Sequence, residues 1–191
     1  MKRFSTPLVP AVVLLTIALL ASLLVQPATA VQSGDEGFKP TTVILVRHAE
    51  KADAPREDPP LTEAGTARAQ KLASLLSTAG VKAVYTSQFA RTRLTAEPLA
   101  KQLGVTIAPI TLKSKPSNPR EVSEESIRQI VDKIMANAGQ TALVVGHSNS
   151  VPDVIRMLGG DTVPVIDESK FDDLFIVTVY AKGKAKVLQL K

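Results

Sequence analysis

Short apolar runs that contain many β-branched residues recur along this chain and alternate with amphipathic helical patterns. The run at 42–46 is TVILV and the run at 142–145 is ALVV, and neither contains a charged residue. Continuous runs of this kind are typical of strands buried on both faces, whereas half-exposed strands alternate apolar and polar residues. Strands that alternate with helices predict an α/β fold, with a mainly parallel sheet covered by helices on both faces.

The same patterns predict the remaining elements. Four more strands are predicted from short apolar runs, at 83–86, 105–110, 174–180 and 185–190. Four helices are predicted from apolar residues at helical spacing, at 62–79, 89–103, 123–134 and 151–158. Pro98 should kink or restart the second helix, because proline removes one helical hydrogen bond. The polar, proline-containing stretch at 111–120 is predicted to be a loop.

The N-terminal segment has the pattern of an export signal. Lys2 and Arg3 precede an apolar run at 9–25, and the residues that end at Ala30 have the small-residue pattern of a cleavage site. The predicted organisation is a signal peptide at 1–30 cleaved after Ala30, a linker at 31–40 and one domain at 41–191. The mature protein would then be periplasmic or secreted. Because the apolar run is long for a signal peptide, an uncleaved membrane anchor is the alternative.

Composition excludes several classes of function. The formal net charge is +5, but there is no long run of Lys or Arg and aromatic residues make up only 4% of the chain, so nucleic-acid binding is not expected. The absence of Cys excludes disulfides, thiolate metal sites and attachment as a cysteine-linked lipoprotein.

The two histidines of the chain, His48 and His147, each follow a predicted buried strand. Arg47 precedes the first of them, and Arg91 lies just beyond a third predicted strand. In an open α/β sheet, ligands bind beyond the carboxyl ends of the parallel strands. We therefore expect these four side chains to meet at one edge of the sheet if the three strands are neighbours.

These side-chain types suit a phosphate group. A phosphate monoester carries close to two negative charges, and a guanidinium presents a planar fork that matches its oxygens. Two arginines and one imidazole could hold the three equatorial oxygens while a neutral His48 attacks the phosphorus in line. A zinc or iron site is the rival use of the two histidines, but the adjacent cation of Arg47 opposes metal binding. The prediction is therefore a phosphatase that needs neither a metal nor another cofactor.

Four segments of the chain match residue patterns that occur together in one family. In chain order they are Arg47-His48-Ala49-Glu50, Pro60-Leu61-Thr62-Glu63-Ala64-Gly65, Ser87-Gln88-Phe89-Ala90-Arg91 with Thr95-Ala96-Glu97, and Val145-Gly146-His147-Ser148. They resemble the histidine phosphatase, or phosphoglycerate mutase-like, superfamily over about residues 42–180. The resemblance implies that His48 is the nucleophile, and that Arg47, Arg91 and His147 form the phosphate pocket. It also implies a three-layer α/β/α sandwich whose sheet is parallel except for one strand.

The resemblance leaves the proton donor unassigned. Many relatives carry a donating Glu in an insertion after the second arginine segment, and that stretch is short in this chain. The acid-phosphatase branch places Asp directly after the second histidine, where this chain has Ser148. Glu121 is the candidate donor, because it ends the predicted loop at 111–120, which should overhang the site.

The leading functional hypothesis is hydrolysis of a phosphomonoester or a phosphohistidine outside the cytoplasm. The substrate would be a phosphorylated small molecule, a glycan or a phosphoprotein, and membrane attachment is expected only if the N-terminal segment stays uncleaved. A phosphomutase is one alternative. A phosphate- or phosphoglycan-binding module that has lost turnover is another. Arg93 is a close decoy for the second arginine, and the family register favours Arg91.

Overall fold

The computed structural model describes residues 39–162 and 164–191. The signal peptide predicted at 1–30 and residues 31–38 of the predicted linker lie outside the described residues. Lys39 and Pro40, the last two linker residues, have no regular secondary structure, and the first strand begins at Thr41. No helix within the described ranges has the length and apolar character needed to cross a membrane.

A six-stranded sheet forms the centre of the described domain. Its strands are β1 (Thr41–Arg47), β2 (Val81–Ser87), β3 (Ile107–Ile110), β6 (Thr141–Gly146), β7 (Leu174–Ala181) and β8 (Lys184–Leu190). The spatial order is β3-β2-β6-β1-β7-β8. Two further strands, β4 (Ser114–Lys115) and β5 (Asn118–Val122), pair with each other in a separate hairpin.

The strand directions match the expected mixed sheet. β1, β6, β2 and β3 are parallel to one another, whereas β7 runs antiparallel to both β1 and β8. The prediction of a sheet that is parallel except for one strand is therefore confirmed. Because β1, β6 and β2 are direct neighbours, their carboxyl ends open at the same edge of the sheet.

Helices cover both faces of this sheet. They are α1 (Glu63–Leu76), α2 (Ala90–Leu103), α3 (Glu124–Met135) and α4 (Ser150–Met157). Along β1, Val43 and Leu45 belong to the core beneath α3 and α4, while Ile44 and Val46 belong to the core beneath α1 and α2. This alternation explains why β1 is a continuous apolar run, and it confirms the α/β/α sandwich.

Side-chain hydroxyl groups cap the first turns of α1 and α3. The hydroxyl of Thr62 accepts the backbone N–H of Gly65 at the start of α1, and that of Ser123 accepts the N–H of Ser126 at the start of α3. α2 continues through Pro98 to Leu103 without interruption, so the restart that was one of the two predicted effects of this proline is wrong. The next two residues after the proline are buried in the core, which holds this segment in the helix despite the lost hydrogen bond.

The prediction of a structureless loop at 111–120 is also wrong in part. The segment enters the small hairpin of β4 and β5, in which Ser114 is paired with Val122 and Lys115 with Asn118. The sequence did not predict these strands because they are mostly polar, and in β5 only Val122 is buried. The N–H of Ser123 donates to the carbonyl of Lys113, which anchors the hairpin at the start of α3.

Candidate active site

The carboxyl ends of β1 and β6 bring the two histidine segments into contact. The backbone N–H of His48 donates to the carbonyl of Gly146 at 2.9 Å, so the first histidine is joined to the residue that precedes the second. The His48 and His147 ring centroids lie 5.3 Å apart, with the rings edge to face. The expected meeting of these two side chains at one sheet edge is thus observed.

A cavity of about 480 Å³ opens at this edge. All five site residues predicted from the sequence line it, together with side chains from the β4–β5 hairpin and from the loop before β7. The lining includes Arg47, His48, Lys51, Phe89, Arg91, Lys113, Arg120, Glu121, His147, Ser148 and Glu168. The structure therefore brings the predicted residues together around one space that is large enough for a small phosphorylated group.

His48 has the geometry of a nucleophile. Its Nδ1 lies 2.8 Å from the carbonyl oxygen of Ala49, and because a carbonyl only accepts, Nδ1 carries the ring proton and Nε2 keeps its lone pair. The side chain is buried, with 4% of its surface exposed. Burial, helped by the cations of Arg47 and Arg91, lowers the pKa of His48 to about 4, so the ring is neutral at neutral pH.

His147 is held by a hydroxyl on the neighbouring strand. Its Nε2 lies 2.9 Å from the Oγ of Ser87, the last residue of β2. Burial, and then the charge of Arg91, lower the pKa of His147 to about 3. When the Ser87 hydroxyl donates to Nε2, the proton of the neutral His147 ring is on Nδ1. This N–H group can then donate a hydrogen bond to a phosphate oxygen. Ser87 belongs to one of the four sequence motifs, but no sequence pattern predicted this contact.

Arg47 is fixed by the loop before β7. Its Nη1 donates to the backbone carbonyls of Asp167, Glu168 and Lys170, and its guanidinium lies 4.3 Å from the ring centroid of Phe171. Burial lowers the pKa of Arg47, while the carboxylates of Glu168 and Asp167 oppose that effect. We refer to residues 167–171 as the arginine clamp. No motif in the sequence indicated this segment, because most of its contacts to Arg47 are made by backbone.

Arg91 belongs to the site and Arg93 does not. The guanidinium of Arg91 lies 4.2 Å from the ring centroid of Phe89 and lines the cavity. Burial lowers the pKa of Arg91, and the charge of Arg47 adds to the effect. Arg93 is half-exposed and its Nη1 lies 3.9 Å from a carboxylate oxygen of Glu97 one helical turn later. The register expected from the family resemblance is the observed one.

The two arginines have unused hydrogen-bonding capacity. The Nε atoms of Arg47 and Arg91 are buried, and neither has a hydrogen-bond partner among the described residues. Within the same ranges, neither side chain forms a salt bridge to a carboxylate. An unsatisfied buried donor costs roughly 1–3 kcal/mol. An oxyanion supplies both the acceptors and the negative charge that these side chains lack.

The first helix supports the loop that carries the nucleophile. The N–H of Thr62 donates to the carbonyl of Glu50, and the Glu50 carboxylate accepts three hydrogen bonds from Arg68. Gly65 packs so closely that a Cβ there would lie 2.2 Å from the Glu50 carbonyl oxygen. Glu50 is therefore a structural residue that forms a salt bridge with Arg68. The side chain of Lys51, the next residue, lines the cavity.

Glu121 lies in the cavity wall but is engaged elsewhere. Its carboxylate accepts hydrogen bonds from Lys115 Nζ at 2.6 Å and from Asn118 Nδ2 at 2.8 Å. These two hydrogen bonds lower the pKa of Glu121, which favours the ionised carboxylate. An acid that must deliver a proton near neutral pH needs the opposite environment. The geometry thus places Glu121 where the sequence predicts it, but gives no support to its predicted role.

The family comparison agrees with this geometry. Residues 43–115 match the family model described as histidine phosphatase superfamily (branch 1), and this stretch contains both His48 and Arg91. This is the family that the sequence motifs resemble, and the matched stretch covers less than half of the chain. Comparison with curated proteins gives no match.

Solved structures of histidine phosphatases and mutases share the fold. The protein histidine phosphatase SixA complexed with tungstate is similar at a TM-score of 0.62 and 20% identity, over 78% of this chain and 96% of that chain. A phosphoglycerate mutase from Bacillus anthracis gives a TM-score of 0.62 at 17% identity, over 80% of this chain and 93% of that chain. A mycobacterial glucosyl-3-phosphoglycerate phosphatase gives 0.56 at 13% identity, over 79% and 97%.

Proposed function

We propose that this chain is a member of the histidine phosphatase superfamily and a metal-independent phosphatase, which hydrolyses a phosphomonoester or a phosphohistidine through a covalent intermediate on His48. The observation that carries the proposal is the hydrogen bond from His48 Nδ1 to the Ala49 carbonyl, which leaves Nε2 as the free nucleophile in the cavity that both arginines line. A neutral imidazole with a fixed tautomer can attack phosphorus without first losing a proton.

In the first half-reaction, the Nε2 lone pair of His48 forms a bond to phosphorus as the bond to the leaving oxygen breaks. Charge is spread over the three equatorial oxygens of the transferring group. Arg47, Arg91 and His147 are the donors that stabilise this charge. Since the arginine clamp and Phe89 already hold the two guanidinium groups, little reorganisation is needed at the moment of reaction.

In the second half-reaction, water attacks the phosphohistidine. The bond between Nε2 and phosphorus breaks, inorganic phosphate leaves and His48 returns to its neutral form. The cavity opens to solvent at the edge of the sheet, so water can reach the intermediate. Access of water favours hydrolysis over a mutase reaction, in which the phosphoenzyme must survive while the substrate reorients.

The substrate is a phosphorylated small molecule, glycan or phosphoprotein, and the site is suited to each of them. Several similar structures bear the name SixA, and the one complexed with tungstate is called a protein histidine phosphatase, which favours a phosphohistidine among these choices. Export to the periplasm or the medium is part of the proposal and rests on the sequence pattern at 1–30 alone.

The test is an assay of the purified protein with p-nitrophenyl phosphate in the presence of EDTA, beside a His48→Ala variant. Because p-nitrophenolate is a good leaving group, the assay does not depend on the proton donor. The proposal expects turnover that survives the chelator and falls to background in the variant. Loss of turnover with EDTA would contradict metal independence. Absence of wild-type turnover, with melting protected by phosphate, would favour the binding module.

A further inference from the structure

An alkyl phosphate needs a proton donor, because an alkoxide is a poor leaving group. Among the described residues, the only carboxylates that line the cavity are those of Glu121 and Glu168. Glu121 is held in its ionised form by Lys115 and Asn118. The position that holds Asp in the acid-phosphatase branch holds Ser148 here. Within the described ranges, Glu168 is therefore the remaining carboxylate of the cavity that could act as the proton donor.

Glu168 reaches the site from the arginine clamp. Its backbone carbonyl accepts a hydrogen bond from Arg47, and its carboxylate lies near enough to raise the pKa of that guanidinium. Its side chain lies in the cavity wall next to Ser148, the residue after His147. The Oγ of Ser148 donates to Glu168 Oε1 at 3.4 Å, which is a long and weak hydrogen bond. The Glu168 carboxyl group is thus close to both phosphate-binding segments without being committed to a strong partner.

We propose that Glu168 is the general acid and base of the reaction, and that Ser148 orients it. The assignment rests on the proposed function. A phosphate dianion bound beside a carboxyl group disfavours a second negative charge there, so substrate binding itself promotes the protonated acid. The chain then places its donor on the loop after α4 instead of in an insertion after the second arginine.

The proton balance closes over one turnover. As the phosphorus–oxygen bond breaks, the Glu168 carboxylic acid gives its proton to the leaving alcohol oxygen and becomes a carboxylate. The carboxylate then accepts a proton from the water that attacks phosphohistidine. Inorganic phosphate leaves, His48 recovers its lone pair and Glu168 is again protonated for the next leaving group.

A Glu168→Gln variant separates this role from a structural one. The substitution keeps the backbone carbonyl that holds Arg47, and it keeps an acceptor for Ser148, but it removes the acid. Because kcat/KM reports the steps up to formation of the phosphoenzyme, loss of the proton donor lowers this value only for substrates whose leaving group needs a proton. Displacement of Arg47 would weaken phosphate binding and lower the value for every substrate alike. The matched control is Glu124→Gln, which changes an exposed carboxylate of α3 that does not line the cavity.

The experiment measures kcat/KM for p-nitrophenyl phosphate and for glycerol 2-phosphate with both variants. We expect Glu168→Gln to lower the value for glycerol 2-phosphate by about 10²-fold or more, and to leave the aryl value within roughly threefold. Glu124→Gln should match the wild type with both substrates.

Three results would overturn the assignment. An equal loss with both substrates would make Glu168 a positioning residue for Arg47. No loss in Glu168→Gln would place the acid elsewhere. A wild type that hydrolyses the aryl phosphate but not the alkyl phosphate would show that the site has no working acid. Failure of the proposed function itself would be distinct, because the wild type would then not turn over the aryl phosphate.

Discussion

At the residue scale, the site brings together two buried guanidinium groups and two neutral imidazoles. The partners of Arg47 are carbonyl oxygens and an aromatic ring, so its positive charge is oriented but not neutralised. Burial keeps His48 and His147 uncharged, with pKa values lowered to about 4 and about 3. Neither guanidinium forms a salt bridge within the described ranges, so a phosphate dianion would supply the direct ionic partner that both lack.

The contrast between Arg91 and Arg93 gives a prediction at this scale. Arg91→Ala should lower kcat/KM for p-nitrophenyl phosphate by at least ~10²-fold, because it removes a donor to the transferring oxygens. Arg93→Ala is the matched control, since Arg93 is exposed and pairs with Glu97 outside the cavity, and we expect less than about a threefold effect. Steady-state kinetics on both variants, with folding checked by circular dichroism, make the measurement. Equal losses from the two variants would show that the second arginine is misassigned.

The positions of site residues could be predicted from the sequence only near the end of a strand. Arg47 ends β1, and the two histidines directly follow β1 and β6. Arg91 lies in the first turn of the helix that follows β2, so the sheet also determines its position. The arginine clamp and Glu168 could not be predicted in this way, because they belong to a stretch without regular structure. Its contacts to Arg47 are made mainly by carbonyl oxygens, which every residue type possesses.

At the element scale, the approach of α1 to the nucleophile loop is the tightest contact near the site. Gly65 allows the helix to lie against the Glu50 carbonyl, and Ala49 and His48 directly precede that residue. The Ala49 N–H donates to the Oγ1 of Thr95 on α2 at 2.9 Å. Two helices therefore hold the short segment whose carbonyl sets the tautomer of His48.

Gly65→Ala tests this contact. The added Cβ would lie 2.2 Å from the Glu50 carbonyl oxygen, so helix or loop must move. We expect the free energy of unfolding to fall by about 1–3 kcal/mol, as for other overpacked sites, and turnover to fall with it. Urea unfolding measures the first effect. Ala64→Ser, at the adjacent exposed position, should change stability by less than about 0.5 kcal/mol. A Gly65→Ala protein as stable as the wild type would refute the packing argument.

The elements themselves were predictable to different degrees. Strands β1 and β6 stood out because burial on both faces demands continuous apolar runs, and α3 stood out because Ser123 caps a periodic apolar stripe. The β4–β5 hairpin was missed because its strands are short and mostly exposed, so no apolar pattern is required of them. Pro98 suggested that the helix would kink or restart, but the helix continues through it because packing in the core outweighs one missing hydrogen bond.

At the scale of the whole molecule, the order of the strands in the sheet brings the site residues together. The chain passes from β1 to β2 and returns to place β6 between them, so three distant segments end side by side. The same fold occurs in a protein histidine phosphatase, a phosphoglycerate mutase and a sugar-acid phosphatase at 20% identity or less. These proteins share a fold and differ in their named activities, so the residues of the site and of the cavity wall, and not the fold, must determine the reaction and the substrate.

The central claim is that His48 becomes phosphorylated during turnover. The most direct measurement mixes the protein with a radiolabelled phosphomonoester, quenches in alkaline denaturant that preserves phosphohistidine, and maps the label by mass spectrometry. We predict one acid-labile phosphate on His48 in the wild type, and no label in the His48→Ala variant. Label on His147 instead, or continued turnover of the His48→Ala variant at the wild-type rate, would contradict the account.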